Sequence, residues 1–141
     1  MPEIRPKRVL QLCFPARAAE LKRTRESVRE AMEGCGCSAK STADIVLAID
    51  EACQNIIRHA YRGDSDNLIE FDVEHRGDRL VFSLTDHAPA IDPSRVKPRD
   101  LEDLRPGGLG TYFIRRVMDE VEFLRPASGS GNLLRMVRRI D

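Results

Sequence analysis

The sequence predicts an α+β fold, a two-layer α/β sandwich in which a mixed sheet is covered by helices on one face. Three observations carry this. Short segments of alternating polarity lie near both ends of the chain and in its middle, as half-buried strands require. A long segment from about residue 41 to 61 is apolar over more than half its helical circumference, so it must be buried against a sheet. The elements also run in the order β-α-α-β-β-loop-α-β-β, which segregates helices from strands.

Residues 9–14 alternate well enough for a strand, stopped by Pro15. Residues 18–33 form a charged amphipathic helix with Leu21, Val28 and Met32 on its sparse apolar side, ended by Gly34 and Gly36. Ser41 is the predicted N-cap of the next helix, with Asp44 three residues on as a short capping-box partner. That helix carries Ile45, Ala48, Ile49, Ala52, Cys53, Ile56, Ile57 and Ala60. Residues 68–74 and 79–85 follow as strands with a hairpin turn at Gly77-Asp78. Residues 93–106 hold three prolines among many charges and read as a loop. A helix over about 110–119 precedes two strands, 121–125 and 133–138, joined by the turn Ser128-Gly129-Ser130-Gly131.

A chain of 141 residues suits one domain spanning 1–141. With 41% hydrophobic and 33% charged residues it is globular in composition, not disordered. Its 23 basic residues match 23 acidic ones, so no global field would recruit nucleic acid or an anionic membrane. Arg115-Arg116 and Arg138-Arg139 are single basic pairs of the kind that solvated faces carry. No apolar run approaches the ~20 residues that span a bilayer, and a soluble, cytoplasmic protein is expected. Cys13, Cys35, Cys37 and Cys53 have neither the C-x-x-C nor the zinc spacing. Cys13 and Cys53 sit in apolar stretches and read as small core residues.

Three places concentrate polar chemistry. Glu51 and Asn55 are four apart and share one face of the long helix, beside the neighbouring pair Asp50 and Gln54, with Arg58 and His59 one turn beyond. They form either a solvated edge or a Mg²⁺ site, in which an amide oxygen ligates the hard cation and a carboxylate takes a proton. Asp86 ends a strand and precedes His87-Ala88-Pro89-Ala90. It either caps a turn or, with small neighbours admitting a flat base, accepts a hydrogen bond from an exocyclic amine such as that of adenine. Gly107-Gly108-Leu109-Gly110, followed by Thr111, is either a plain helix cap or an anion site at a helix N-terminus.

Taken in order, Glu51-x-x-x-Asn55, Asp86 with its small-residue turn and Ile91-Asp92-Pro93, and Gly107-Gly108-Leu109-Gly110 resemble the N, G1 and G2 boxes of the GHKL ATPases. The likeness is greatest to the small bacterial serine/threonine kinases that act as anti-sigma factors. It covers residues 9–140, including the run from Asp50 to Tyr61, Met118-Asp119-Glu120-Val121 and Gly131-Asn132. The resemblance implies a Bergerat-type ATP-binding fold using ATP and Mg²⁺. Asn55 would ligate Mg²⁺, Glu51 would act as general base, and Arg58 would contact phosphate. Asp86 would hold the adenine amine, and Gly107, Gly108, Leu109, Gly110 and Thr111 would wrap the triphosphate beneath a lid at 93–106. It further implies a homodimer, a sigma factor as partner, and a small anti-sigma-factor antagonist as the phosphorylated protein.

One residue departs from the pattern. Ala88 stands in the nucleotide-binding turn where the G1 box has glycine, and a left-handed backbone there would weaken ATP by about fivefold. A non-catalytic module that sequesters a protein partner, with weak or no ATP binding, is the alternative that Ala88 favours. A detached histidine-kinase ATPase domain fits less well, because no helix pair carries a phosphoacceptor histidine.

Overall fold

The computed structural model describes residues 6–89, 109–126 and 129–140. β1 (Lys7–Pro15) leads through a short 3-10 turn (Ala18–Glu20) into α1 (Leu21–Gly34) and α2 (Ala39–Asn55), and α2 runs on into a π-helical turn (Ile56–Ala60). β2 (Leu68–Arg76) and β3 (Arg79–Asp86) form a hairpin, followed by α3 (Leu109–Val117), β4 (Glu120–Leu124) and β5 (Asn132–Arg139). The strands make one five-stranded sheet in the order β1-β2-β3-β5-β4.

The sheet is antiparallel throughout rather than mixed. Two helices separate β1 from β2, so the chain returns running the opposite way. Strands β3 and β4, with α3 between them in the sequence, do run parallel, but β5 lies between them and pairs antiparallel with both. The pattern of elements was therefore legible, while the strand order that removes the parallel neighbours was not.

Alternation decides which face is buried. Leu12 and Phe14 pair with Phe71 and Ile69, Phe71 and Val73 with Leu84 and Phe82, and Phe82 with Met136. These side chains face the helices, and the Phe71 and Phe82 rings stack at 6.5 Å between centroids. Opposite them, α2 contributes Ile45, Ile49, Ala52 and Cys53, and the π-helical turn Ile56, with α1 and α3 packed on the two sides of α2. Burying each large apolar side chain stabilises the fold by roughly 1.5–3 kcal/mol. Cys53 is fully enclosed and its thiol is pushed up to about 12, by burial first and then by Asp50. Cys13, expected in the core, instead points out of β1, because Leu12 and Phe14 occupy the inward positions.

The sheet face away from the helices is polar. Arg8–Asp72 and Arg135–Glu122 pair between neighbouring strands on it and Arg76–Glu74 along β2, as a one-sided antiparallel sheet allows. The N-cap of α2 is Ser38, not Ser41: the Ser41 amide donates to Ser38 Oγ at 3.1 Å, and Ser38 holds the extended backbone that a cap needs. Ser41 is buried one turn inside the helix, where its Oγ accepts from Arg138 at 3.0 Å. The same guanidinium donates to the Val117 carbonyl at 2.6 Å, so one arginine of β5 ties the start of α2 to the end of α3. Those two helices wall the cavity described next.

Candidate functional site

A cavity of about 710 Å³ opens between the C-terminal half of α2, helix α3 and the ends of β3 and β5. Its walls are mainly apolar, with Ile56, Leu84, Ala88, Ile114, Val121 and Leu134 among them. Such walls with a few converging polar groups are the ordinary make-up of a small-molecule site.

The helical side of the cavity depends on how α2 ends. Past Asn55 each hydrogen bond spans more residues than in an α-helix, Tyr61 N–H reaching the Ile56 carbonyl at 3.0 Å and Gly63 N–H the Ile57 carbonyl at 2.7 Å. The widened turn brings both Asn55 and His59 to the cavity wall. Arg62, at φ 57°, is the one non-glycine residue with positive φ among the described residues, and Gly63 follows at φ 121°. Together they turn the chain out of the helix beside the site. The Asn55 Oδ1 and His59 Nε2 atoms are buried with no hydrogen-bond partner among the described residues. Burial, and then the Arg58 charge, lowers the pKa of His59 and favours its neutral form. An unsatisfied amide oxygen in a cavity is a ready acceptor for a hard cation, so Asn55 fits the Mg²⁺ role.

Asp86 closes the strand side. It is buried, ends β3, and lies opposite Asn132 in register. Asn132 Nδ2 donates to Asp86 Oδ1 at 2.9 Å, and the Ala88 N–H donates to the same oxygen at 3.0 Å. Burial raises the Asp86 pKa, against the pull of these two donors and of His87. A buried carboxylate whose two donors among the described residues share one oxygen suits an incoming amine at the other. The turn after it is held by Tyr61, whose hydroxyl accepts from His87 N–H at 2.6 Å and donates to the Leu68 carbonyl at 2.8 Å.

Ala88 is buried on the cavity wall and does not take positive φ. The strain that a left-handed alanine would impose does not arise, and the methyl simply forms part of the wall. The close approach falls on Gly131 instead. This glycine has φ 83°, and a Cβ there would overlap the Asp86 carbonyl oxygen. Gly131→Ala will therefore cost about 3 kcal/mol or more in stability, from the backbone conformation and the overlap together. Thermal unfolding checks this; a melting temperature equal to that of the unaltered protein would refute it.

The histidine kinase-like ATPase domain family matches residues 14–138. The chain belongs to this family. A serine-protein kinase RsbW of Bacillus cereus is 30% identical over 124 residues, covering 82% of this chain and 76% of the relative. The serine-protein kinase RsbW of Listeria innocua is 28% identical over 121 residues, covering 80% and 77%. Among solved structures, the RsbU and RsbW domains of Rv1364c from Mycobacterium tuberculosis match with TM-score 0.67 at 21% identity. That match covers 96% of this chain, which spans only 32% of the Rv1364c chain. The SiaB-SiaC complex of Pseudomonas aeruginosa matches with TM-score 0.65 at 15% identity, covering 92% and 89%. These two likenesses bear on the fold.

Within this histidine kinase-like ATPase domain the structure brings Asn55, Asp86 and Ala88 to one cavity. Glu51 lies one turn before Asn55 on α2, half-buried and outside the cavity lining. Arg58 is exposed and donates to Gln54 Oε1 at 2.9 Å, at the end of a chain in which Gln54 and Arg25 both bond Asp50. It too lies outside the lining. Leu109, Gly110 and Thr111 fall in the first turn of α3, while Gly107, Gly108 and the expected lid at 93–106 lie outside the described residues. Asn132, His59, Arg62 and Arg115 also line the cavity. Periodicity gave no reason to single out Asn132, whose partner is 46 residues away. Arg115 read only as half of a basic pair.

Proposed function

We propose that this protein is an ATP-dependent serine/threonine kinase of a partner-switching circuit. It phosphorylates a small anti-sigma-factor antagonist and, when the antagonist is phosphorylated, holds a sigma factor. The observation that carries the reading is the pairing, in one cavity, of a buried Asp86 open at one oxygen with an unsatisfied Asn55 Oδ1. One group matches the amine of adenine and the other a divalent cation on the phosphates. Membership of the family and the names of the RsbW relatives support it.

Bound Mg²⁺ would supply charge neutralisation on the phosphates, the main source of catalysis in phosphoryl transfer. Asn55 would hold the cation through Oδ1. Asp86 would fix the base, and the apolar wall from Ile56 to Leu134 would exclude water around it. Glu51 would take the proton of the attacking serine or threonine hydroxyl as its oxygen bonds to the γ-phosphorus and ADP leaves. Arg58 would contact phosphate after leaving Gln54, and the N-terminus of α3, with Gly107 to Thr111, would receive the phosphates. The kinase would work in the cytoplasm as a homodimer, with β1 and α1 as its contact elements. No helix of the described residues is long and apolar enough to cross a membrane.

Two measurements test this. Calorimetry with Mg-ATP will show saturable binding, and label from γ-labelled ATP will pass to an antagonist protein encoded in the source genome. Binding without transfer to any such protein would replace the kinase by a module that sequesters its partner.

A further inference from the structure

Of the described residues that line the cavity, Arg62 alone has a positive φ. At φ 57° it holds the left-handed conformation in which glycine, or less often asparagine, ends a helix without strain. The bonds around it leave it no freedom to relax. After it, the Gly63 N–H is held by the Ile57 carbonyl at 2.7 Å and the Ser65 N–H by the Ala16 carbonyl at 2.9 Å. Before it, Tyr61 is fixed by its own N–H on Ile56 and by its hydroxyl on Leu68 and His87. Strain that the surroundings impose in this way gathers where a side chain has to be delivered to a ligand.

No contact within the described residues accounts for an arginine at this position. Its guanidinium has no hydrogen bond or ion pair with any of them. The carboxylates that follow it are engaged elsewhere: Asp64 Oδ1 accepts from the Ala18 N–H at 3.1 Å, and Asp66 pairs with Arg17. A cation at a helix C-terminus gains from the dipole, but a lysine would gain as much. The side chain is exposed and yet lines the cavity, which places it at the mouth. It lies nearly two turns past Asn55, on the order of 10 Å along a helix that rises ~1.5 Å per residue. Tyr61, next to it, bonds the turn that follows Asp86. Arg62 therefore belongs to the Asp86 end of the cavity and not to the end suited to a cation.

We propose that Arg62 lays its guanidinium over the exposed face of the bound base and so closes the mouth of the cavity. This rests on the nucleotide-binding reading above. A guanidinium is planar, delocalised and weakly hydrated, and it stacks on a flat aromatic surface as an ammonium does not. The contact is with the face of the ring, so it adds affinity whatever phosphates the nucleotide carries.

Three variants test this, with calorimetry of adenosine, Mg-ADP and Mg-ATP on each. Arg62→Ala will weaken all three ligands by about tenfold, and by the same factor. Arg62→Lys keeps the charge and the stem but not the plane, and will weaken them by about threefold or more. Arg62→Gly will bind as weakly as Arg62→Ala and yet melt about 2 °C or more above the unaltered protein, because the left-handed turn then carries no strain. A loss that grows with the number of phosphates would make Arg62 a phosphate contact and overturn the proposal. So would a lysine variant as tight as the unaltered protein. A glycine variant that melts lower would give the arginine a structural role and overturn it as well. If the unaltered protein binds none of the three ligands, the nucleotide reading fails and the proposal with it. If the unaltered protein binds them and all three variants bind equally well, the proposal alone falls.

Discussion

Asp86→Asn will abolish measurable Mg-ATP binding and yet leave a protein that is at least as stable at neutral pH. The first half follows from chemistry. An asparagine whose oxygen takes the Asn132 and Ala88 donors turns its NH₂ toward the cavity, where a second donor would meet the adenine amine. The loss should be at least about a hundredfold in affinity. The second half follows from burial, which raises the Asp86 pKa from its ordinary value against the pull of Asn132, Ala88 and His87. A carboxyl that binds its proton more tightly when folded contributes its full stability below the unfolded pKa, and loses it as pH rises through the folded value. At neutral pH that contribution is gone, so removing the charge costs nothing and relieves desolvation. Melting curves will show the advantage of Asp86→Asn at neutral pH shrinking toward zero in acid. A variant less stable than the parent at neutral pH and equal to it in acid would contradict this account.

Glu51→Gln will separate binding from transfer. Glutamine matches glutamate in shape but cannot take a proton at neutral pH, so the affinity for Mg-ATP should change by less than about threefold, while transfer to the antagonist falls by about a hundredfold or more. Calorimetry and label transfer on the same preparation give both numbers. Unchanged transfer would remove Glu51 from the chemistry. Equal losses in binding and transfer would place it in the nucleotide site and not at the hydroxyl.

How far the sequence showed all this depends on the range of each interaction. The α2 stripe from Ile45 to Ile57 is a local pattern, and the structure buries it as the periodicity requires. The hairpin at Gly77-Asp78 is equally local and holds in register from Arg76 and Arg79 to Ile69 and Asp86. Cys13 and Ser41 failed for a local reason: each was one alternation or one turn away from the position that does the work. The sheet order could not be read, because it depends on where β5 inserts, and composition does not record that. Asn55 and Asp86, to which the resemblance pointed, both line the cavity. Asn132 belonged to the resemblance but carried no role there, since its contact with Asp86 appears only when β5 lies beside β3. Ala88 looked like the weak point on sequence grounds. The strained approach that the G1 glycine suggested is met here by Gly131, on the neighbouring strand.

The pairing of Asp86 with Asn132 also bears on the order in which the molecule assembles. β2 and β3 meet across a tight turn and can form early, whereas Asp86 must wait for a segment 46 residues further on. Closing that loop has to be met in chain entropy before the contact returns anything. The corner proposed to bind the base is thus among the last parts of the described sheet to be completed during synthesis. A nascent chain stopped before β5 could hold its first three strands and two helices and still have no grip on a nucleotide. Nucleotide retention would then report that β5 has been made and has joined the sheet.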